Sequence, residues 1–130
     1  MLEVSHGANV LESLPTALNA EAVIELQRAT DEVHADSALL DYVVSLASVT
    51  RDHPQIRVGL SPRGSLALVQ CARGRALMAG RDQLIPEDLT ESIEAVFLHR
   101  LVLRDSPLTG YETRARNLLE EVVRSVAVPR

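Results

Sequence analysis

A chain of 130 residues that is 46% apolar and 2% aromatic, with a net charge of −5, can bury the core of one domain but is too acidic to hold nucleic acid or an anionic membrane by charge alone. All 13 basic residues are arginine, which excludes both a phosphate-binding loop of the Gly-Lys-Ser/Thr type and Schiff-base chemistry on lysine. The single cysteine, Cys71, excludes an intrachain disulfide and a cysteine-based zinc site, and inside an apolar helix it reads as a small core residue in a reducing compartment.

Tyr42, Phe97 and Tyr111 are the whole aromatic set, so the apolar content is mostly Ala, Leu and Val, which suits closely packed helices better than a β-sandwich. Residues 1–18, interrupted by Gly7, Asn9 and Pro15, show no sustained period and read as a linker or lead-in to a helical domain over 19–130. Asn19 is an N-cap for a first helix reaching about Ala29, with Glu21 in its first turn and Val23 and Leu26 facing inward. Asp36 caps a second helix. In it Leu39, Val43, Leu46 and Thr50 recur at helical spacing, and Leu40 and Val44 widen the stripe to Ala47. That helix ends near Arg51 or Asp52, because His53 precedes Pro54 and is pushed out of the helical region.

Gln55 to Val58 is short and extended, and delivers the chain to Gly59. The third helix runs from Pro62 to about Ala79, capped by Ser61 and closed by a left-handed Gly80. Gly64, Ala67, Ala72, Gly74 and Ala76 allow neighbours to approach it closely, which predicts a place at the centre of the bundle. Pro86 opens a fourth helix, with Glu87 and Asp88 at its positive end and Leu89, Ile93, Val96 and Phe97 facing inward. Leu101 to Leu103 is a brief apolar run, and a loop around Pro107 and Gly110 leads to a last helix from about Thr113 to Val126, with Leu118, Leu119, Val122 and Val126 inward. The pattern predicts an all-α fold, an irregular bundle of about five helices with one or two very short extended segments. No signal-peptide pattern opens the chain and no apolar run approaches about eighteen residues, so no membrane insertion and a cytoplasmic location are expected.

Chemistry-bearing motifs are few. His53 and His99 lack metal-ligand spacing, no G-x-S-x-G surrounds a serine, and the adjacent carboxylates Glu87-Asp88 and Glu120-Glu121 do not face each other on a helix and read as solvated faces. Arg63 is the exception. A cation in the first turn opposes the partial positive charge of a helix N-terminus by roughly 0.3–1 kcal/mol at exposed sites, but beside unpaired backbone N–H groups it is well placed for an anion such as phosphate. The simpler alternative is that Arg63 reaches a carboxylate elsewhere on the surface. Arg51, Arg57, Arg73, Arg75 and Arg81 read as surface charges paired with the excess carboxylates.

Five blocks then appear in order: Thr50-Arg51-Asp52-His53-Pro54, Gly59-Leu60-Ser61-Pro62-Arg63, Ala76-Leu77-Met78-Ala79-Gly80-Arg81-Asp82, Ile85-Pro86-Glu87-Asp88-Leu89 and Leu98-His99-Arg100-Leu101. Together they resemble the C-terminal lid domain of MoxR-type AAA+ ATPases, over about Leu14 to Pro129; lids of magnesium-chelatase-type ATPases are the nearest alternative. The resemblance implies a helical lid over a nucleotide held by a preceding αβα ATPase domain. Its G-x-S-P-R block is the sensor 2 motif, so Arg63 is the arginine expected to reach the γ-phosphate of ATP, with Gly59, Ser61 and Pro62 positioning it. It further implies Mg bound mainly by the ATPase domain, a homo-oligomeric and hexameric ring, chaperone-like remodelling, and von Willebrand factor A-domain proteins as partners. This sequence departs from the family in having Ile85, where Thr or Ser usually caps the fourth helix, and in lacking Walker A, Walker B and sensor 1 motifs. By itself the chain is therefore expected to be non-catalytic. A stand-alone helical protein-interaction module is the alternative of another class; a DNA-binding bundle is disfavoured by the net charge.

Overall fold

The computed structural model describes residues 14–104 and 110–129. Residues 1–13 and the expected loop at Pro107 lie outside them. Five helices follow in order: α1 (Ala20–Glu32), α2 (Ser37–Asp52), α3 (Pro62–Met78), α4 (Pro86–Phe97) and α5 (Tyr111–Ser125). Two short strands, β1 (Ile56–Val58) and β2 (Val102–Leu103), form an antiparallel pair, with Ile56 opposite Leu103 and Val58 opposite Val102 across an irregular step. None of the described helices is long and apolar enough to cross a membrane.

The helix starts follow local chemistry. The side chains of Asn19, Asp36 and Ser61 accept hydrogen bonds from the N–H groups of Ala22, Ala38 and Gly64, occupying donors that would otherwise be unpaired. At the end of α3, Gly80 has φ 71°, and the Gly80 and Arg81 N–H groups donate to Leu77 and Ala76 carbonyls at 2.9 Å each. This left-handed turn reverses the chain toward α4. Ile85 offers no side-chain acceptor at the start of α4. Asp88 substitutes by accepting from the Ile85 N–H at 3.0 Å, so the helix begins where the sequence places it.

α3 lies at the centre, packed on α1, α2 and α4. Leu68, Ala72 and Ala76 are buried there beneath Leu46 of α2, Leu89, Ile93 and Phe97 of α4, and Leu119 and Val122 of α5 within one hydrophobic core. The 3₁₀ turn Leu98–Arg100 then leads into β2, and the Tyr111 hydroxyl donates to the Leu101 carbonyl at 2.7 Å, tying α5 to that turn.

Four expectations change. Val23 and Leu26 are 41% and 48% exposed, and α1 buries none of its residues. Its contacts with α3 include a polar one, Gln70 to Asp31 at 2.6 Å. Periodicity identifies the apolar side of a helix, but another element must cover it, and α1 sits at the edge of the bundle. The same reason leaves Leu40 and Val44 exposed while Ala47 on the adjoining face is buried. Cys71 is exposed rather than in the core, because the Leu68, Ala72, Ala76 face of α3 is the one that turns inward. Asp88 is 4% exposed rather than part of a solvated face, and both oxygens accept from Arg81 Nη1 and Nη2 at 2.7 Å.

Candidate functional site

The approach to Arg63 is built by α2. Thr50, fully buried on its last turn, donates to the Ala47 carbonyl at 2.7 Å and accepts from the Leu60 N–H at 3.0 Å. Leu60 itself is buried in the core, so the loop is held by its backbone and its side chain together. Gly59 lies against the α2 backbone: a Cβ at that position would stand 2.7 Å from the Arg51 Cα and N and from the Thr50 carbonyl carbon. Glycine at this position makes room for the neighbouring helix.

Thr50→Val preserves shape but leaves the buried Leu60 N–H without its acceptor. The expected cost is about 1–2 kcal/mol, seen as a lowered denaturant midpoint with an unchanged slope. A variant with an unchanged midpoint would show that the loop does not depend on this hydroxyl.

From Leu60 the chain enters α3 through Ser61, the cap, and Pro62, whose fixed φ suits the first helical position. Arg63 therefore projects from a first turn fixed by a cap, a proline and the clamp on α2. Its side chain is exposed, and among the described residues it has no hydrogen-bond or ion-pair partner. Gly59, Ser61 and Arg63 line one concavity of about 360 Å³ together with Val58, Gly64, Ala67 and Arg100. Pro62 is not part of its wall and acts on the helix start alone.

Arg100, from the 3₁₀ turn, is the wall residue that sequence reasoning did not single out. Its stem lies on the first turn of α3, with Cδ 3.5 Å from where a Cβ on Gly64 would stand. It brings a second arginine to the wall of the hollow across a separation that only the packed fold closes. Its block in the family pattern was the available signal.

Four other arginines hold carboxylates, whereas Arg51, Arg57 and Arg73, expected to be paired with carboxylates, hold none among the described residues. Arg75 pairs with Glu91, Arg116 with Glu94 and Glu112, Arg124 with Glu120, and Arg81 with Asp88. Arg51 bonds to the Ala47 carbonyl and the Ser48 hydroxyl. The Arg81 pair alone engages a buried carboxylate. The hydrogen bonds from Arg81 hold the Asp88 carboxyl below its ordinary value against the opposing effect of burial, and the Ile85 N–H adds to the lowering. Asp88 also raises Arg81.

A larger hollow of about 730 Å³ lies between α4 and α5, lined by Glu91, Glu94, Leu98, His99, Tyr111 and Glu112 among others. Its carboxylates are held by Arg75 and Arg116, leaving it little free charge to recognise a ligand. Among the described residues no group of three or more His, Cys, Asp or Glu side chains is arranged to hold a metal.

Comparison with known proteins adds independent findings. Residues 48–122 match the family model described as AAA lid domain. The chain is 32% identical over 130 residues to the uncharacterized protein YeaC of Bacillus subtilis, covering 99% of this chain and 40% of that protein. It is 35% identical over 121 residues to Chaperone MoxR1 of Mycobacterium tuberculosis, covering 86% and 32% respectively. It is also 34% identical over 107 residues to Protein MoxR of Methylorubrum extorquens, covering 72% and 30%. The crystal structure of a proposed ATPase from Cytophaga hutchinsonii has a like fold, with a TM-score of 0.72 at 23% identity, over 85% of this chain and 36% of that one. The chain thus spans 30–40% of the length of these curated relatives.

Proposed function

The chain belongs to the AAA lid domain family, as the lid of a MoxR-type AAA+ ATPase, and from that premise we propose that it senses nucleotide for a P-loop domain in the same polypeptide. In this reading Arg63 is the sensor 2 arginine and reaches the γ-phosphate of ATP. Ser61, Pro62 and Gly59 position it. The observation that carries the reading is an exposed arginine with no carboxylate partner among the described residues, projecting from a clamped and capped helix start.

The lid supplies one side of the site. The Mg ion is held mainly by the ATPase domain, which must also supply the phosphate-binding lysine that this chain lacks. ATP supplies a γ-phosphoryl group whose negative charge Arg63 can stabilise. An arginine that engages only this terminal group distinguishes ATP from ADP. Because it sits on α3, at the centre of the core, its engagement is passed to the whole lid as a rigid body. The name Chaperone MoxR1 supports chaperone-like remodelling; a homo-oligomeric, hexameric ring and von Willebrand factor A-domain partners complete the proposal.

In the full-length protein, Arg63→Ala is expected to slow ATP hydrolysis at least about tenfold, the loss of one charge-assisted contact, while the lid keeps its fold. Wild-type hydrolysis together with wild-type nucleotide-dependent lid movement in that variant would overturn the reading. Turnover by the purified 130-residue chain alone would do the same.

A further inference from the structure

We propose that Arg100 is a second phosphate-contacting residue, sharing the hollow at the start of α3 with Arg63, and that the two guanidinium groups together favour the more highly charged polyphosphate. The proposal rests on the reading of Arg63 as a nucleotide-phosphate arginine and adds to it a residue on a different element.

Arg63 and Arg100 are 37 positions apart, yet they line one concavity with Ser61 and Gly64. The Arg100 stem lies along the first turn of α3, near Gly64. Its Nη1 donates to the Val96 carbonyl and to His99 Nε2, which pins the head group to the wall. Neither is a carboxylate, so the charge is oriented without being cancelled, and the remaining N–H groups have no acceptor among the described residues. In a chain of net charge −5, in which Arg75, Arg81, Arg116 and Arg124 each hold a carboxylate, Arg63 and Arg100 hold none among the described residues and line the same hollow. Two confined like charges repel, and an anion between them relieves that repulsion while gaining a hydrogen bond from each side. The gain grows with the charge of the anion. Val58 and Ala67 complete the wall without adding a competing acceptor.

The test uses the full-length protein and equilibrium binding of ATP, ADP and inorganic tripolyphosphate to wild type, R63M, R100M and R100K. Methionine keeps an unbranched stem over Gly64 and removes the charge; lysine keeps the charge. The expected result is that R100M weakens ATP and tripolyphosphate about tenfold and ADP about threefold, that R100K stays within about threefold of wild type, and that the thermal midpoints match. Weakening in R63M with none in R100M overturns the role of Arg100 and leaves the Arg63 reading intact. No weakening in either variant overturns both. Loss in R100M alone makes Arg100 the phosphate arginine and overturns the pair. Equal weakening in R100M and R100K with lowered midpoints identifies a packing role and also overturns it.

Discussion

Gly59→Ala is expected to unfold about 12 °C below the wild-type protein, the equivalent of about 3 kcal/mol in a domain of this size. The added methyl would stand 2.7 Å from three backbone atoms of Thr50 and Arg51. Backbone cannot swing aside as a flexible side chain can, so either the loop or the end of α2 must move. Movement of the loop breaks the bond from the Leu60 N–H to the Thr50 hydroxyl, and Leu60 is a buried core residue. The same displacement shifts Ser61 and with it the first turn that carries Arg63. In the full-length protein a destabilised lid should therefore be accompanied by weaker discrimination between ATP and ADP even below the unfolding temperature. Differential scanning calorimetry with nucleotide-binding measurements on one preparation checks both parts. A wild-type midpoint would mean that α2 and the loop are not in contact.

Asp88→Asn is expected to cost a similar amount, about 3 kcal/mol, because one carboxylate carries two duties. It accepts both Arg81 hydrogen bonds at 2.7 Å and the Ile85 N–H at 3.0 Å, thereby tying the turn after α3 to the start of α4. Asparagine can satisfy part of this set but leaves the guanidinium without its counter-charge. The pH dependence separates this pair from simple packing. Hydrogen bonds from Arg81, then the Ile85 N–H and the field of Arg81 and Arg75, lower the folded-state carboxyl below its ordinary 3.8, with burial opposing them. The unfolded chain therefore takes up the proton first as the pH falls. The contribution is complete well above about pH 4, begins to decline near the unfolded value and is lost as the pH drops through the lower folded value. Urea unfolding of the two proteins should show a constant difference from neutral pH to about pH 5 and a narrowing one below about pH 4. A difference independent of pH down to strongly acidic conditions would show that the charge of Asp88 is not what stabilises the junction.

Much of the helical frame was legible because its signals are local. Asn19, Asp36 and Ser61 cap the helices they were expected to cap, Pro54 and Gly80 mark the ends of α2 and α3, and Leu89, Ile93, Val96 and Phe97 are buried as their spacing implies. Burial of α1 was not legible. Val23 and Leu26 have the spacing of an inward face, but whether a face is covered depends on elements far away in sequence. The same limit hid the depth of Asp88. Its position in the first turn suits a solvated carboxylate as well as a buried one, and only the return of Arg81 from the end of α3 decides between them.

Candidate site residues were legible in part for the same reason. Ser61-Pro62-Arg63 is a contiguous helix start whose cation conflicts with the local dipole, and such a conflict is visible in a sequence. The sequence by itself determined the helix, its cap and the place of the arginine, because capping and periodicity act over three or four residues. The tertiary structure alone decided that Gly59 abuts the α2 backbone, that Thr50 holds the loop, and that Arg100 shares the hollow with Arg63. Those relations join residues 8 to 37 positions apart, and they exist only once the core around Phe97 and Leu68 has packed and closed the distance.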